Sequence, residues 1–270
     1  MSKYLGQHFL VNKEKLKKIT EALELRDGDL VIEIGAGHGE LTRLIAKKFE
    51  IRNSKFEIVA IEKDPRLTKY LQKRFSEDKN IKFIEGDALK IIPNLIKTQN
   101  LKPITYKIVG NIPYYITGRL LRILGEIKNK PKLIVLTVQK EVAKRICAKP
   151  PRMNLLAASV QFWAKPEIIG YISKKDFRPI PKVDSAIIKI LSIAFKQRSL
   201  GKCYREGGYY KFIKILFKQP RKTIINNLIE GLKIPKEEII EKLKLLKINP
   251  SDRPQNLSIS QLTDIIHVLR

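Results

Sequence analysis

Leu30-Val31-Ile32-Glu33-Ile34-Gly35-Ala36-Gly37-His38-Gly39 is the stretch on which the fold turns. Its first half is a short apolar run, as expected of a strand buried on both faces, and it stops at three alternate glycines. Glycine at such a point lets the chain turn tightly and brings backbone close to a ligand. Helical spacing follows at Leu41, Leu44, Ile45 and Phe49. Gly35-x-Gly37-x-Gly39 is not the dinucleotide fingerprint, which needs Gly-x-Gly-x-x-Gly, because Glu40 stands where the third glycine would be. Glu33 and Glu40 flank the loop and place negative charge where a pyrophosphate would be repelled. A cationic, phosphate-free ligand fits better. Taken alone, the loop also reads as a plain structural turn.

Residues 57–61 read as a second apolar strand, followed by a helix opening near Pro65, where proline is tolerated in the first turn. Residues 81–84, 106–109 and 133–138 repeat the theme, and two further strands are expected around 167–172 and 186–193. Near-continuous apolar strands separated by helices predict a parallel sheet covered on both faces. The polar stretch 196–208 reads as a linker or surface loop. Helical periods follow over 209–217, 221–232, 236–246 and 258–269, punctuated by Ile234-Pro235 and Asn249-Pro250. The expected organisation is an α/β domain over 1–195 and a small, basic, all-helical domain over 196–270.

In an open parallel sheet, ligands bind outside the carboxyl ends of the strands, where strand order reverses. The chemically suggestive residues stand at such ends. Gly35 and Gly37 follow the first strand, Glu62 the second, Asp87 and Ala88 the third and Asn111 the fourth. Glu62 is placed to accept hydrogen bonds from ribose hydroxyls. Asp87 reads equally as an acceptor for an adenine amino group or as a helix N-cap. Asn111-Ile112-Pro113-Tyr114 suits chemistry on an exocyclic amino group. The carboxamide oxygen and the next backbone carbonyl can both accept from an –NH₂, Pro113 sets the direction of that carbonyl, and Tyr114 offers a face for stacking. A plain Asn-Pro turn is the bland alternative. Phe177, in a proline-stiffened basic loop between two strands, is the candidate for a second stacking aromatic; otherwise it is a core residue anchoring that loop. A glycine loop flanked by carboxylates beside an amino-group clamp points to S-adenosylmethionine as cofactor.

Lys and Arg number 54 against 27 Asp and Glu, a formal charge of +27 on 270 residues. An excess this large attracts polyanions at the expense of self-repulsion, although a generally lysine-rich proteome would also raise it. The basic residues are scattered rather than gathered beside a membrane segment. No apolar run approaches the roughly 20 residues that span a bilayer, and the first residues lack the apolar core of a signal peptide. RNA or DNA is the expected partner, with no membrane. Cys147 and Cys203 are far apart, without a metal-ligand pattern, and read as small buried apolar residues in a reducing cytoplasm. His8, His38 and His267 share no metal-ligand spacing, so no metal is expected.

Assembled, these residues resemble the small-subunit ribosomal RNA adenine dimethyltransferase family, the KsgA group. Gly6-Gln7-His8-Phe9-Leu10 is similar to its N-terminal Gln-Asn-Phe-Leu box, and EIGAGHGELT (33–42) to its cofactor loop. FRPIPKVDSA (177–186) is similar to its substrate-side loop. FKQPRKTIINNL (217–228) and RPQNLS (253–258) match in the helical region. The resemblance implies a Rossmann-like S-adenosylmethionine-dependent methyltransferase sheet with a helical C-terminal RNA-recognition domain. It implies methyl transfer to N6 of two adjacent adenosines near the 3′ end of small-subunit rRNA, in an immature subunit, by a cytoplasmic monomer. It also implies that His8, Leu10, Gly35, Glu62, Asp87 and Asn111 contact the cofactor or lie at its edge, while Tyr114 and Phe177 hold the adenine. His8 replaces the more usual Asn, where a backbone contact is the safer expectation, and Ile112 replaces Leu. The related Erm-type group, which acts on large-subunit rRNA, shares the cofactor residues and the Asn-x-Pro-Tyr box; the helical blocks favour the small-subunit reading. An assembly factor with a vestigial site is a third reading, disfavoured by the retained Glu62, Asp87 and Asn111.

Overall fold

The structure is a computed structural model that describes residues 7–51, 53–98, 106–193 and 208–269. The expected linker, apart from Gly208, and Cys203 lie outside the described residues. Strand β1 (Phe9–Leu10) precedes helix α1 (Lys13–Ala22). Four strand–helix pairs follow: β2 (Asp29–Ile34) and α2 (Glu40–Glu50), β3 (Phe56–Glu62) and α3 (Pro65–Arg74), β4 (Ile81–Glu85) and α4 (Ala88–Thr98), β5 (Tyr106–Asn111) and α5 (Thr117–Glu126). Then come β6 (Leu133–Gln139), α6 (Lys140–Ile146), α7 (Leu155–Gln161), β7 (Ala164–Ile172), β8 (Phe177–Arg178) and β9 (Ser185–Ser192).

Seven strands form one sheet in the order β4-β3-β2-β5-β6-β9-β7. Strands β2 to β6 pair in parallel, and β9 runs antiparallel to β6. The chain steps outward from β2 through β3 to β4, then returns to the other side of β2 with β5. Strand order therefore reverses between β2 and β5, so the Gly35 loop and Asn111 flank the switch-point crevice. All six residues of β2 are buried, as its apolar run requires. Of its two polar residues, Asp29 pairs with Lys107 of β5 at 2.6 Å, and the same ammonium donates to the Glu24 carbonyl at 2.5 Å. Local signals set the helix starts. Asn12 caps α1, Asp64 caps α3 with Pro65 in the first turn, and Gly39 begins α2 at φ +84°.

The chain packs as two compact units, Met1–Ala143 with Pro166–Ser192, and Lys144–Lys165 with Ile193–Arg270. The second therefore takes in Lys144–Lys165, upstream of the boundary expected at 195/196. The reason is apolar packing: Met153, Ala157 and Ala158 share one core with Tyr209, Phe212, Leu228 and Leu262. This unit carries α8 (Gly208–Leu216), α9 (Ile224–Leu232), α10 (Lys236–Leu245) and α11 (Ile259–Val268). Its loop after α8 is braced by buried Asn227, whose Oδ1 accepts from Gln219 N–H at 3.1 Å while Nδ2 donates to the carbonyls of Gln219 and Thr223, both at 3.1 Å. No helix among the described residues is long and apolar enough to cross a membrane.

Candidate active site

The end of β2 opens into a crevice bounded by three glycines and a carboxylate. Gly37 sits at φ +59°, and a Cβ there would come within 2.9 Å of the Phe9 ring. The glycine thus serves both the turn and the close passage of β1 over the loop. Across the crevice, Glu62 at the end of β3 is only 4 % exposed. Its Oε2 accepts from Gly37 N–H at 2.9 Å, and its Oε1 accepts from Lys63 N–H at 2.8 Å and Asp64 N–H at 2.9 Å. Three of a carboxylate's roughly four lone-pair sites are filled, which leaves about one for a ribose hydroxyl. The loop, the carboxylate and the first strand are thereby locked into one frame.

At the end of β5, the Asn111 carboxamide is oriented by the N-terminal segment. Its Nδ2 donates to the His8 backbone carbonyl at 2.7 Å. With the nitrogen end committed, Oδ1 is the acceptor left for an incoming amino group. Pro113 follows at φ −56°, and its carbonyl is taken by Ile116 N–H at 3.1 Å. The Tyr114 hydroxyl is 2.8 Å from Ser185 Oγ. Burial pushes the Tyr114 phenol up, with Asp184 adding to the rise against the Ser185 hydrogen bond, so the ring stays neutral. His8 stands opposite. Its ring centroid is 6.2 Å from that of Tyr114 with 22° between the planes, and its Nδ1 is 2.8 Å from the Pro179 carbonyl.

The crevice is lined by His8, Gly35, Gly37, Glu62, Asp87 and Ala88 from the cofactor candidates, with Asn111, Pro113 and Tyr114. The N-cap reading of Asp87 is the one its contacts carry, and the residue also lines the crevice. One carboxylate oxygen accepts from Leu89 N–H at 2.9 Å at the start of α4, while the other lies 4.0 Å from Lys63 Nζ beside the crevice. Ala88, first in that helix, carries an N–H without an intrahelical partner by helix geometry.

Leu10 and Phe177 do not line the crevice. They are register partners in a two-stranded antiparallel sheet and lie in the core, Leu10 at 5 % and Phe177 at 0 % exposure. Strand alternation explains Leu10: Phe9 faces Gly37 and stacks edge-on against His38 at 4.4 Å, which turns the next side chain inward. Phe177 here anchors its loop rather than offering a face to a base.

The flanking charges also differ from expectation. Glu40 is tied to Arg74 at 3.1 Å. Glu33, 1 % exposed, has its carboxyl pushed up to about 8 by burial, with Glu62 adding to the rise and the 2.6 Å hydrogen bond from Thr42 opposing it. It is therefore protonated at neutral pH in the absence of a neighbouring cation. Ser185, Thr42 and Pro179 had no signal in the sequence as partners, because each acts through a contact between distant segments. Cys147 is half-buried rather than buried.

The donor set fits an adenosyl cofactor. Glu62 keeps an acceptor site open to a hydroxyl, Asp87 and Ala88 stand at the adjoining strand end, and the glycine loop lets backbone approach a ligand closely. Sheet order, switch-point crevice and these residues define a Rossmann-like methyltransferase that uses S-adenosylmethionine.

The match to known proteins narrows that class. The family model described as "Ribosomal RNA adenine dimethylase" matches residues 1–270, and the chain belongs to this family. It is 38 % identical over 259 residues to "Ribosomal RNA small subunit methyltransferase A" of Dehalococcoides mccartyi, covering 96 % of this chain and 85 % of that protein. The protein of the same name from Fusobacterium nucleatum is 34 % identical over 268 residues, with 98 % and 96 % covered. Among solved structures, a dimethyladenosine transferase from Plasmodium falciparum superposes with a TM-score of 0.75 at 25 % identity, covering 95 % of each chain. The 23S rRNA methyltransferase ErmE, at TM-score 0.72, 24 % identity and coverage of 97 % of this chain and 99 % of its own, shares the fold.

Proposed function

We propose that this chain dimethylates N6 of two adjacent adenosines near the 3′ end of small-subunit rRNA, acting as a cytoplasmic monomer on an immature subunit during its biogenesis. The observation that carries the reading is the Asn111 carboxamide, held by the His8 carbonyl with its oxygen left as acceptor beside the Tyr114 ring. The relatives' shared name supports the small subunit as the target.

An adenine amino nitrogen is a poor nucleophile because its lone pair is delocalised into the ring. A hydrogen bond to Asn111 Oδ1 draws an amino proton out of the ring plane, favours a pyramidal nitrogen and localises the lone pair. Pro113 limits the backbone there to one direction. Tyr114, immobilised through Ser185, provides a flat face, a contact worth about 1–3 kcal/mol per base. When bound, S-adenosylmethionine supplies an electrophilic methyl group on a cationic sulfur. The protein's contribution is positioning and fixed dipoles rather than a strong base. A paired base cannot reach this crevice, so the target must be single-stranded or flipped. The helical unit, with its basic residues, is assigned to RNA recognition, and the sheet domain to catalysis.

Purified protein with labelled S-adenosylmethionine is expected to label immature small-subunit particles and yield dimethyladenosine on nucleoside mass analysis. Label confined to large-subunit rRNA would overturn the substrate assignment. Asn111→Ala should lower transfer by about 100-fold or more, the range for removing one preorganised polar group, while RNA affinity, dominated by phosphate contacts, changes little. Undiminished turnover in that variant would refute the role of the carboxamide.

A further inference from the structure

Beside the methyl-transfer crevice lies a second one, which the reaction as described leaves without a task. It is bounded by the end of β6, the start of α6 and the loops before β8 and β9, through Gln139, Lys140, Glu141, Lys174, Lys182, Val183 and Asp184, so three ammonium groups outnumber two carboxylates. Resting on the function proposed above, we infer that this crevice is a nucleotide subsite: it takes the phosphodiester and base flanking the adenosine held at Asn111 and Tyr114.

The two crevices share a wall. Asp184 lines the second, and the next residue, Ser185, holds the Tyr114 hydroxyl at 2.8 Å. Asp184 is also the frame of the second crevice. Its backbone carbonyl accepts from Lys140 N–H at 3.0 Å, and its Oδ1 accepts from Lys174 N–H at 3.0 Å. One aspartate thus sets the backbone positions of two lysines and of the serine that immobilises the stacking ring. Nucleotides adjacent along one strand would be read by adjacent pieces of one rigid wall.

The chemistry of the lining fits a nucleotide rather than a metal or an apolar ligand. Lys140, Lys174 and Lys182 have no carboxylate within ion-pair distance among the described residues, so three ammonium groups are available to a phosphate. Lys107 and Lys189, by contrast, are held by Asp29 and Glu24. Next to the ammonium groups are surfaces suited to a base. Lys140 Nζ lies 5.3 Å from the Tyr171 ring centroid, and Tyr171 is 49 % exposed. Val183 is exposed at the crevice itself. A charged groove that tracks the backbone, with an aromatic face beside it, is the combination that single-stranded nucleic acid selects. Lysine ammonium groups bind phosphate as point charges and do not read base edges, so the subsite governs affinity and register rather than sequence.

The test compares Lys140→Ala/Lys174→Ala/Lys182→Ala with a charge-matched control, Lys17→Ala/Lys47→Ala/Lys73→Ala, whose lysines line neither crevice. Labelled methyl transfer to immature small-subunit particles gives kcat and KM for each, and cofactor affinity is measured separately. The crevice variant should raise KM about tenfold with cofactor affinity unchanged. It should also lower the slope of log affinity against log salt by about 0.7 for each phosphate that the protein no longer neutralises. The control should change KM less than about twofold, and arginine at the three crevice positions should restore it. Equal losses in both triple variants would show a bulk-charge effect and overturn the subsite, as would an unchanged KM in the crevice variant. A wild-type protein that methylates no small-subunit particle would instead overturn the function on which the subsite rests.

Discussion

Glu33→Gln should make this protein more stable at neutral pH, although it alters a residue of the cofactor loop. Glu33 is 1 % exposed, and burial holds its carboxyl at about 8 against an ordinary value of 4.5. Below pH 4.5 the group is protonated both folded and unfolded, and ionisation contributes nothing. Between 4.5 and about 8 the unfolded chain ionises while the folded one keeps its proton, so stability falls as pH rises, by about 1.4 kcal/mol per unit. The loss reaches about 3 kcal/mol by pH 7 and about 5 kcal/mol once pH passes the folded value. Glutamine is nearly isosteric, still accepts from Thr42 Oγ1, and does not titrate. The difference between variant and wild type should therefore be small near pH 4.5 and grow steadily to pH 8. Hydrogen exchange of the β2 and β5 amides at a series of pH values, without cofactor, measures it in the unit that contains Glu33. Trp163, the chain's one tryptophan, lies in the other unit and offers an internal control by fluorescence. Parallel pH profiles for the two proteins would refute the reasoning, because they would mean that Glu33 is already charged in its buried setting.

Three further outcomes follow from contacts elsewhere. Lys107→Met leaves Asp29 buried without its counter-charge and should destabilise the sheet unit by about 3–5 kcal/mol, whereas Lys107→Met with Asp29→Leu should recover much of the loss; urea unfolding of the three proteins decides it. Asn227→Ala strips three hydrogen bonds from the loop 219–223 and should cost the helical unit about 2–3 kcal/mol, read from Trp163 fluorescence during denaturation. Thr137→Val replaces a buried hydroxyl that has no hydrogen-bond partner among the described residues; it should raise stability by about 1 kcal/mol, and a fall would show that the hydroxyl is satisfied.

Much of the fold was legible along the chain because its strands are buried on both faces. The run 30–34 and its counterparts at 57–61 and 133–138 are apolar almost throughout, and each lies within an observed strand. The helical segment 155–161 was missed because its Leu-Leu-Ala-Ala-Ser-Val-Gln is short and sits between a proline loop and a strand, with too few turns to show a period. The two-residue strands β1 and β8 were missed for the same reason of length. Most residues lining the crevice could be anticipated because ligands bind where buried strands end, a rule that needs only the strand boundaries.

Which residues gather at the crevice follows from local signals at strand ends: the glycines after β2, Glu62, Asp87, Ala88 and the box 111–114. Their orientation and charge are set by contacts between segments far apart in the chain. Whether Phe177 is a stacking face or a core anchor depends on its pairing with Leu10, from the opposite end of the sheet domain's sequence. The charge of Glu33 depends on how completely the surrounding core excludes water. The acceptor end of Asn111 depends on the His8 carbonyl reaching across from the segment that leads into the first strand. Residue type sets what a group can donate, accept or ionise. Its orientation and its charge state come from neighbours that are remote in sequence, through burial and hydrogen bonds that exist only once the chain has folded.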